Sequence, residues 1–252
     1  MLHTQSKPDA GFSLVELAMS LIIIGVLVGG VMKGQELVDN SRVTTLGAKV
    51  GKYRSAVNSF HDIYDEYPGD MNSPENKIPI CAQTTCTYSG TDSGDGDGII
   101  EGISDVQGTD DSDEGRGFWE HLAAANIVVD TKVTPGTTNE FGLTHPASPF
   151  GGGFTVLNNP EALDETIPAD QDNIVRISVG NFFLVSRTWG SGVGSATISL
   201  LSPLLATAVD RKLDDSQADS GKVLGFGDAC VDDDGEYDIS VTSKACDLLI
   251  RF

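Results

Sequence analysis

The hydrophobic pattern changes character along the chain. From Phe12 to Met32, "FSLVELAMSLIIIGVLVGGVM", apolar residues fall on every face of a helical wheel. At about 1.5 Å per residue this run reaches roughly 30 Å, the thickness of a bilayer's hydrocarbon core. Further on, Val43, Leu46, Val50, Tyr53, Val57, Phe60 and Tyr64 recur three and four residues apart, which is one apolar seam on an amphipathic helix. The two stretches predict one continuous helix from about Phe12 to Tyr64, on the order of 80 Å long. The seam has to pack on something, either the rest of the chain or a second copy in a coiled coil. "YPGD" at Tyr67–Asp70 ends the helix, because Pro68 cannot continue it and Gly69 favours a turn.

Beyond Asp70 the periodicity is lost in a turn-rich, acidic stretch from Met71 to Gly117. "FWEHLAAANIV", Phe118–Val128, then predicts a short amphipathic helix with Phe118, Trp119 and Leu122 as core anchors. A short strand is expected at Phe154–Leu157. "NIVRISVGNFFLVSR" alternates and breaks at Gly180–Asn181, the pattern of a hairpin. "SPLLATAVDRKL" opens with Ser202 as N-cap and Pro203 at the first helical position. "YDISV", near the end, reads as a strand, and no internal repeat is evident.

Composition narrows the function classes. The chain has 252 residues and a formal net charge of -21. That balance excludes a duplex nucleic-acid binder, since phosphates would be repelled, and suits a solvated, cation-attracting surface. No nucleophile elbow, P-loop, H-E-x-x-H or dinucleotide glycine motif is present, so the chain reads as non-enzymatic. His3, His61, His121 and His145 lack ligand spacing and read as surface or packing residues. Four cysteines, Cys81, Cys86, Cys230 and Cys246, allow three pairings. Proximity favours Cys81–Cys86 and Cys230–Cys246, and the export-like N-terminus favours disulfides over reduced thiols.

One segment carries ligand chemistry. "DSGDGDGIIEG" alternates carboxylates with glycines, so a tight loop can turn several oxygens inward, as Ca²⁺ requires. Asp95 and Asp97 fit the third and fifth positions of an EF-hand loop, but Ser93 and Ser104 occupy its first and twelfth, so the loop is not a complete EF-hand. A looser site of Asp92, Asp95, Asp97 and Glu101 and an acidic turn without an ion are both open. Asp232, Asp233 and Asp234 read as a solvated turn.

The apolar run holds a lone carboxylate, Glu16, near its head. A plain membrane anchor does not account for it, because a carboxylate in an apolar span is costly unless it is paired or works. No A-x-A site follows the run, as an ordinary secretory signal would require. "GFSLVEL", after a polar leader and before the apolar run, resembles the processing site of type IV pilins and type II secretion pseudopilins. The resemblance implies that a membrane prepilin peptidase cuts between Gly11 and Phe12 and methylates the new amine. Glu16 becomes the fifth residue of the mature chain and faces the amine of a neighbouring subunit, a register device for parallel, staggered helices. The other reading of Glu16 is a side chain snorkelling to the headgroups. Gly25 and Gly29, and Gly30 and Gly34, make G-x-x-x-G pairs that let such helices approach closely. The leader departs from the family in one respect, since Lys7 is its only Lys or Arg.

The layout also resembles the pilin family and implies an α+β fold: a long N-terminal helix packed by its amphipathic half on an antiparallel sheet, then a C-terminal disulfide loop. The corresponding divisions are a leader at 1–11, a transmembrane or filament-core helix at 12–34, the amphipathic half at 35–66 and a periplasmic or extracellular head at 67–252. The implied partners are copies of itself or related pilins, prepilin peptidase and an assembly platform in the inner membrane. The implied location is the inner membrane before assembly, and a cell-surface pilus or periplasmic pseudopilus after it. Three functions compete: a pilus subunit, a pseudopilin of a secretion machine, and a membrane-anchored periplasmic binding module or enzyme.

Overall fold

One helix, α1 (Leu14–Tyr64), carries both halves of the predicted pattern without interruption. The computed structural model describes residues 13–81, 86, 94–100, 114–131, 140–157, 180–187, 199–227, 229–232 and 234–252. Two compact units meet inside α1, between Ser41 and Arg42. In the first, the side chains from Leu14 to Val38 are exposed. In the second, Val43, Leu46, Val50, Tyr53, Val57 and Phe60 are buried and Tyr64 is half-buried.

Tyr53 is the hub of that seam. Its ring lies edge-on to Trp119 at 5.0 Å and to Phe154 at 5.1 Å. Its hydroxyl donates to Asp130 Oδ2 at 2.7 Å, and Lys52 reaches the same oxygen at 2.9 Å. Burial pushes the Asp130 carboxyl up, but the hydrogen bonds from Tyr53 and Lys52 outweigh it and hold it below the usual range.

The helix ends at Tyr64, where the periodicity predicted. Asp65 takes a left-handed backbone (φ 58°) directly after Tyr64, and its N–H bonds the His61 carbonyl at 2.8 Å. Pro68 and Gly69 then turn the chain toward α3 (Glu114–Ala124), where the Gly69 N–H donates to His121 Nδ1 at 3.0 Å. A Cβ on Gly69 would strike the Glu114 carbonyl, so this contact requires glycine. The short α2 (Pro74–Lys77) lies between them in sequence. The expected helix at Phe118–Val128 therefore starts a turn sooner and ends at Ala124, with Asn126 left-handed (φ 58°). Its anchors Phe118, Trp119 and Leu122 are fully buried.

The sheet has four antiparallel strands, β1 (Gly153–Leu157), β2 (Phe182–Ser186), β3 (Val223–Phe226) and β4 (Asp247–Arg251), in the order β1-β2-β4-β3. Together with α1 it gives the α+β, pilin-like arrangement expected from the sequence. Phe154, Val156, Phe183, Val185, Val223, Leu248 and Ile250 occupy one face, as the register Phe183↔Ile250 and Val223↔Ile250 requires, and join the α1 seam in one core. The alternate row, including Phe182, Leu184, Leu224 and Leu249, is buried as well.

Both edges of β2 are taken, by β1 and β4, and residues 173–179, the other arm of the hairpin expected across Gly180–Asn181, lie outside the described residues. "YDISV" is not a strand: Tyr237 makes only an isolated bridge to Val231, and Asp238 closes a turn by accepting the Ser240 N–H at 3.0 Å. Ser202 does occupy the N-cap of α4 (Pro203–Leu213), with Pro203 at the first position, but its hydroxyl makes no capping bond.

Candidate functional site: the N-terminal segment and the acidic loop

The expected processing residues Gly11 and Phe12 lie outside the described residues. Just beyond them, Glu16 sits in the first turn of α1 and is exposed. A carboxylate there complements the positive end of the helix dipole, worth roughly 0.3–1 kcal/mol. Among the described residues no side chain pairs with it; its carbonyl accepts the Ser20 hydroxyl at 2.8 Å.

By length and composition α1 can cross a membrane, and its apolar stretch is entirely unburied within the chain. Fifteen large apolar side chains between Leu14 and Val38 are at least half exposed. At about 1.5–3 kcal/mol for each side chain left in water, the deficit is tens of kcal/mol. Such a helix needs lipid or other helices around it. Nothing lies within 4 Å of a Cβ built on Gly25, Gly29, Gly30 or Gly34, so the close approach these glycines permit is not used among the described residues.

Of the proposed calcium ligands, Asp92 and Glu101 fall outside the described residues. Asp95 and Asp97 are exposed and each closes its own turn, Asp95 Oδ1 accepting the Asp97 N–H and Asp97 Oδ1 the Ile99 N–H. The structure adds a residue that sequence reading missed. Asp70, of the "YPGD" turn, is buried and brings a carboxylate oxygen within 4.8 Å of those of Asp95 and Asp97. Its two oxygens accept the Gly96 and Gly98 N–H groups, both at 2.8 Å. Burial pushes Asp70 up, the two backbone bonds pull the other way, and Asp97 and Asp95 add to the rise. Asn181, just before β2, holds the loop from the other side by accepting from Ile100 N and donating to the Gly98 carbonyl. Gly96 and Gly98 have positive φ (80° and 87°), so the glycine spacing is needed for backbone geometry whether or not an ion binds. Three carboxylates are a partial set for Ca²⁺, which takes about six to eight oxygens.

Both expected disulfides are formed, Cys81–Cys86 and Cys230–Cys246, and all four cysteines are buried. His121, also buried, accepts from Gly69 and stacks on Phe60 at 6.4 Å between centroids. Burial pulls it down to about 4, so it is neutral at physiological pH. This is a packing arrangement, as the sequence suggested.

Neither a curated protein nor a solved structure matches the chain. A family profile described as "Prokaryotic N-terminal methylation motif" matches residues 6–32, the stretch that contains Gly11, Phe12, Glu16, Gly25 and Gly29. The chain therefore carries, at the head of its long helix, the prepilin-type signature of type IV pilins and pseudopilins.

Proposed function

We propose that the protein is a structural, non-enzymatic subunit of a type IV pilus-like filament. The apolar half of α1 anchors it in the inner membrane. Prepilin peptidase cuts between Gly11 and Phe12 and methylates the new amine, and the subunit then polymerises through its N-terminal helix on an inner-membrane assembly platform. The observation that carries this reading is the coincidence of three features in one segment. The methylation motif spans residues 6–32, the helix there is apolar and unburied, and among the described residues no side chain pairs with Glu16.

The physical logic is mutual neutralisation. A free amine at Phe12 and a carboxylate at Glu16 are each costly in an apolar environment, and together they attract strongly. In the precursor the amine does not exist, so cleavage supplies the second half of an intermolecular contact. A secretion pseudopilin carries the same motif, and the long head with its C-terminal disulfide favours the pilus. The test is to shear filaments from the cell surface, image them and identify their subunits by mass. The proposal expects this chain in surface filaments. Its confinement to the periplasm would favour the pseudopilin, and its absence from any filament would favour a membrane-anchored module.

A further inference from the structure

The C-terminal disulfide closes a loop whose central aromatic residue reaches back to α4. Tyr237, between Cys230 and Cys246, lies against β3 where Gly225 leaves room; a Cβ there would overlap its ring. The Tyr237 hydroxyl donates to Asp210 Oδ2 at 2.9 Å, and the other oxygen of Asp210 accepts the Ser216 N–H at 3.2 Å. Asp210 is fully buried on the apolar side of α4, beside Ala206 and Val209. Asp214 and Asp215, just past the helix, bring carboxylate oxygens within 4.8 Å of its own.

We propose that Asp210 and Tyr237 form a pH-sensitive latch that holds the disulfide-closed loop on α4 and loosens as the pH rises. Two like charges crowd one buried carboxylate. Among the described residues no Lys or Arg side chain forms an ion pair with any of them. The loop contributes Tyr237, which burial and the adjacent Asp210 push up, so that it stays a donor. The segment after α4 contributes Asp214 and Asp215. At Gly225 β3 presents only backbone. Lys222 offers Asp214 its backbone N–H. Arg54 of α1 feels the charge of Asp214, but its guanidinium bonds the Arg251 carbonyl.

Burial first, and then Asp215 and Asp214, raise Asp210 from 3.8 to about 6 against the bonds from Tyr237 and Ser216. Opening the loop would hydrate Asp210 and return it to its ordinary value. By linkage the opening equilibrium then increases by up to about a hundredfold as pH climbs through the window 3.8 to about 6. The latch does not depend on the filament reading.

Hydrogen exchange on the full processed chain in detergent, corrected for the intrinsic rate at each pH, reads this opening directly. Amides of Val231–Ala245 should lose protection by tens of fold between pH 4 and pH 7, while those of α3 do not follow. Asp210→Asn should flatten the dependence. If that variant does not fold, Asp214→Asn with Asp215→Asn keeps the bond but removes the repulsion, and should shrink the loss of protection and complete it at lower pH. A pH-independent loop in the unmodified chain, a dependence that survives Asp210→Asn, or a double variant with an unshifted profile would each overturn the latch.

Discussion

The two halves of α1 share a backbone conformation and differ in everything else. Leu14–Met32 is apolar around its circumference and buries none of its side chains within the chain, whereas Arg42–Tyr64 concentrates its apolar residues in one seam and buries them against the head. A stripe can be satisfied by one neighbour, here the core around Tyr53. An all-round apolar surface cannot, and calls for an environment such as lipid or a ring of other helices. The same helix thus folds its own domain at one end and is left to associate at the other.

Substitutions should separate the halves. Tyr53→Ala removes a hub ring and strands Asp130, and should destabilise the head by about 3–5 kcal/mol, lowering its melting temperature by roughly 10 °C. Ile22→Ala or Leu27→Ala should leave head melting within about 0.5 kcal/mol. Comparable losses from both sets, measured by thermal melting of the full chain in detergent, would erase the distinction. Reduction sharpens it further. Cys230–Cys246 closes a separation of 16 residues and Cys81–Cys86 one of 5. Losing them should cost the head about 3 and about 2 kcal/mol by chain entropy, with membrane association of the apolar half unchanged.

The head carries two large, opposed contributions to its pH response. His121 is lowered from 6.5 to about 4 by burial, so its share of stability is present at neutral pH and lost as pH falls through that window, by roughly 3 kcal/mol. Asp210, raised from 3.8 to about 6, has the reverse effect: it stabilises below 3.8 and loses that contribution as pH rises through about 6. The two largely cancel between about 4 and 6. Asp210→Asn should therefore expose a steeper acid loss in head stability than the unmodified chain shows, and an unchanged acid limb in denaturant titrations would contradict the pair of assignments.

Glu16→Ala should leave head melting and membrane insertion intact while lowering filament yield at least tenfold, the effect of about 1.4 kcal/mol per subunit contact. Normal filament yield would remove Glu16 from the assembly contact. The smallest effect concerns the acidic loop. With Ca²⁺ proposed at Asp95 and Asp97, alongside Asp92, Glu101 and the newly found Asp70, chelation should lower head melting by a few degrees through mass action. Unchanged melting would make the loop a turn held by Asp70 and Asn181 alone.

How far the sequence could be read follows the same division. Residues with a long period were legible: the α1 seam, the α3 anchors and Pro203 at the start of α4. The sheet was read only in part. "VLGF" and "DLLIR" form β3 and β4 yet carry no clear alternation, because both faces of the sheet are buried and a short continuous apolar run has no diagnostic period. "YDISV" did show the pattern of a strand, but the Asp238 carboxylate bonds its own neighbours and imposes a turn. Asp70 was invisible as a loop partner, since it stands far upstream in a turn assigned to ending the helix. Asp210 left a signal that could have been used, its place beside Ala206 and Val209 on the apolar side of α4.

The central claim is that the N-terminal segment becomes an assembly element by being cut. Mass spectrometry of the N-terminal peptide from the membrane-extracted or filament-borne protein tests it most directly. The account predicts a mature chain beginning at Phe12 with a methylated amine, four residues ahead of Glu16. A chain that still begins at Met1, or one cut beyond Met32, would contradict it.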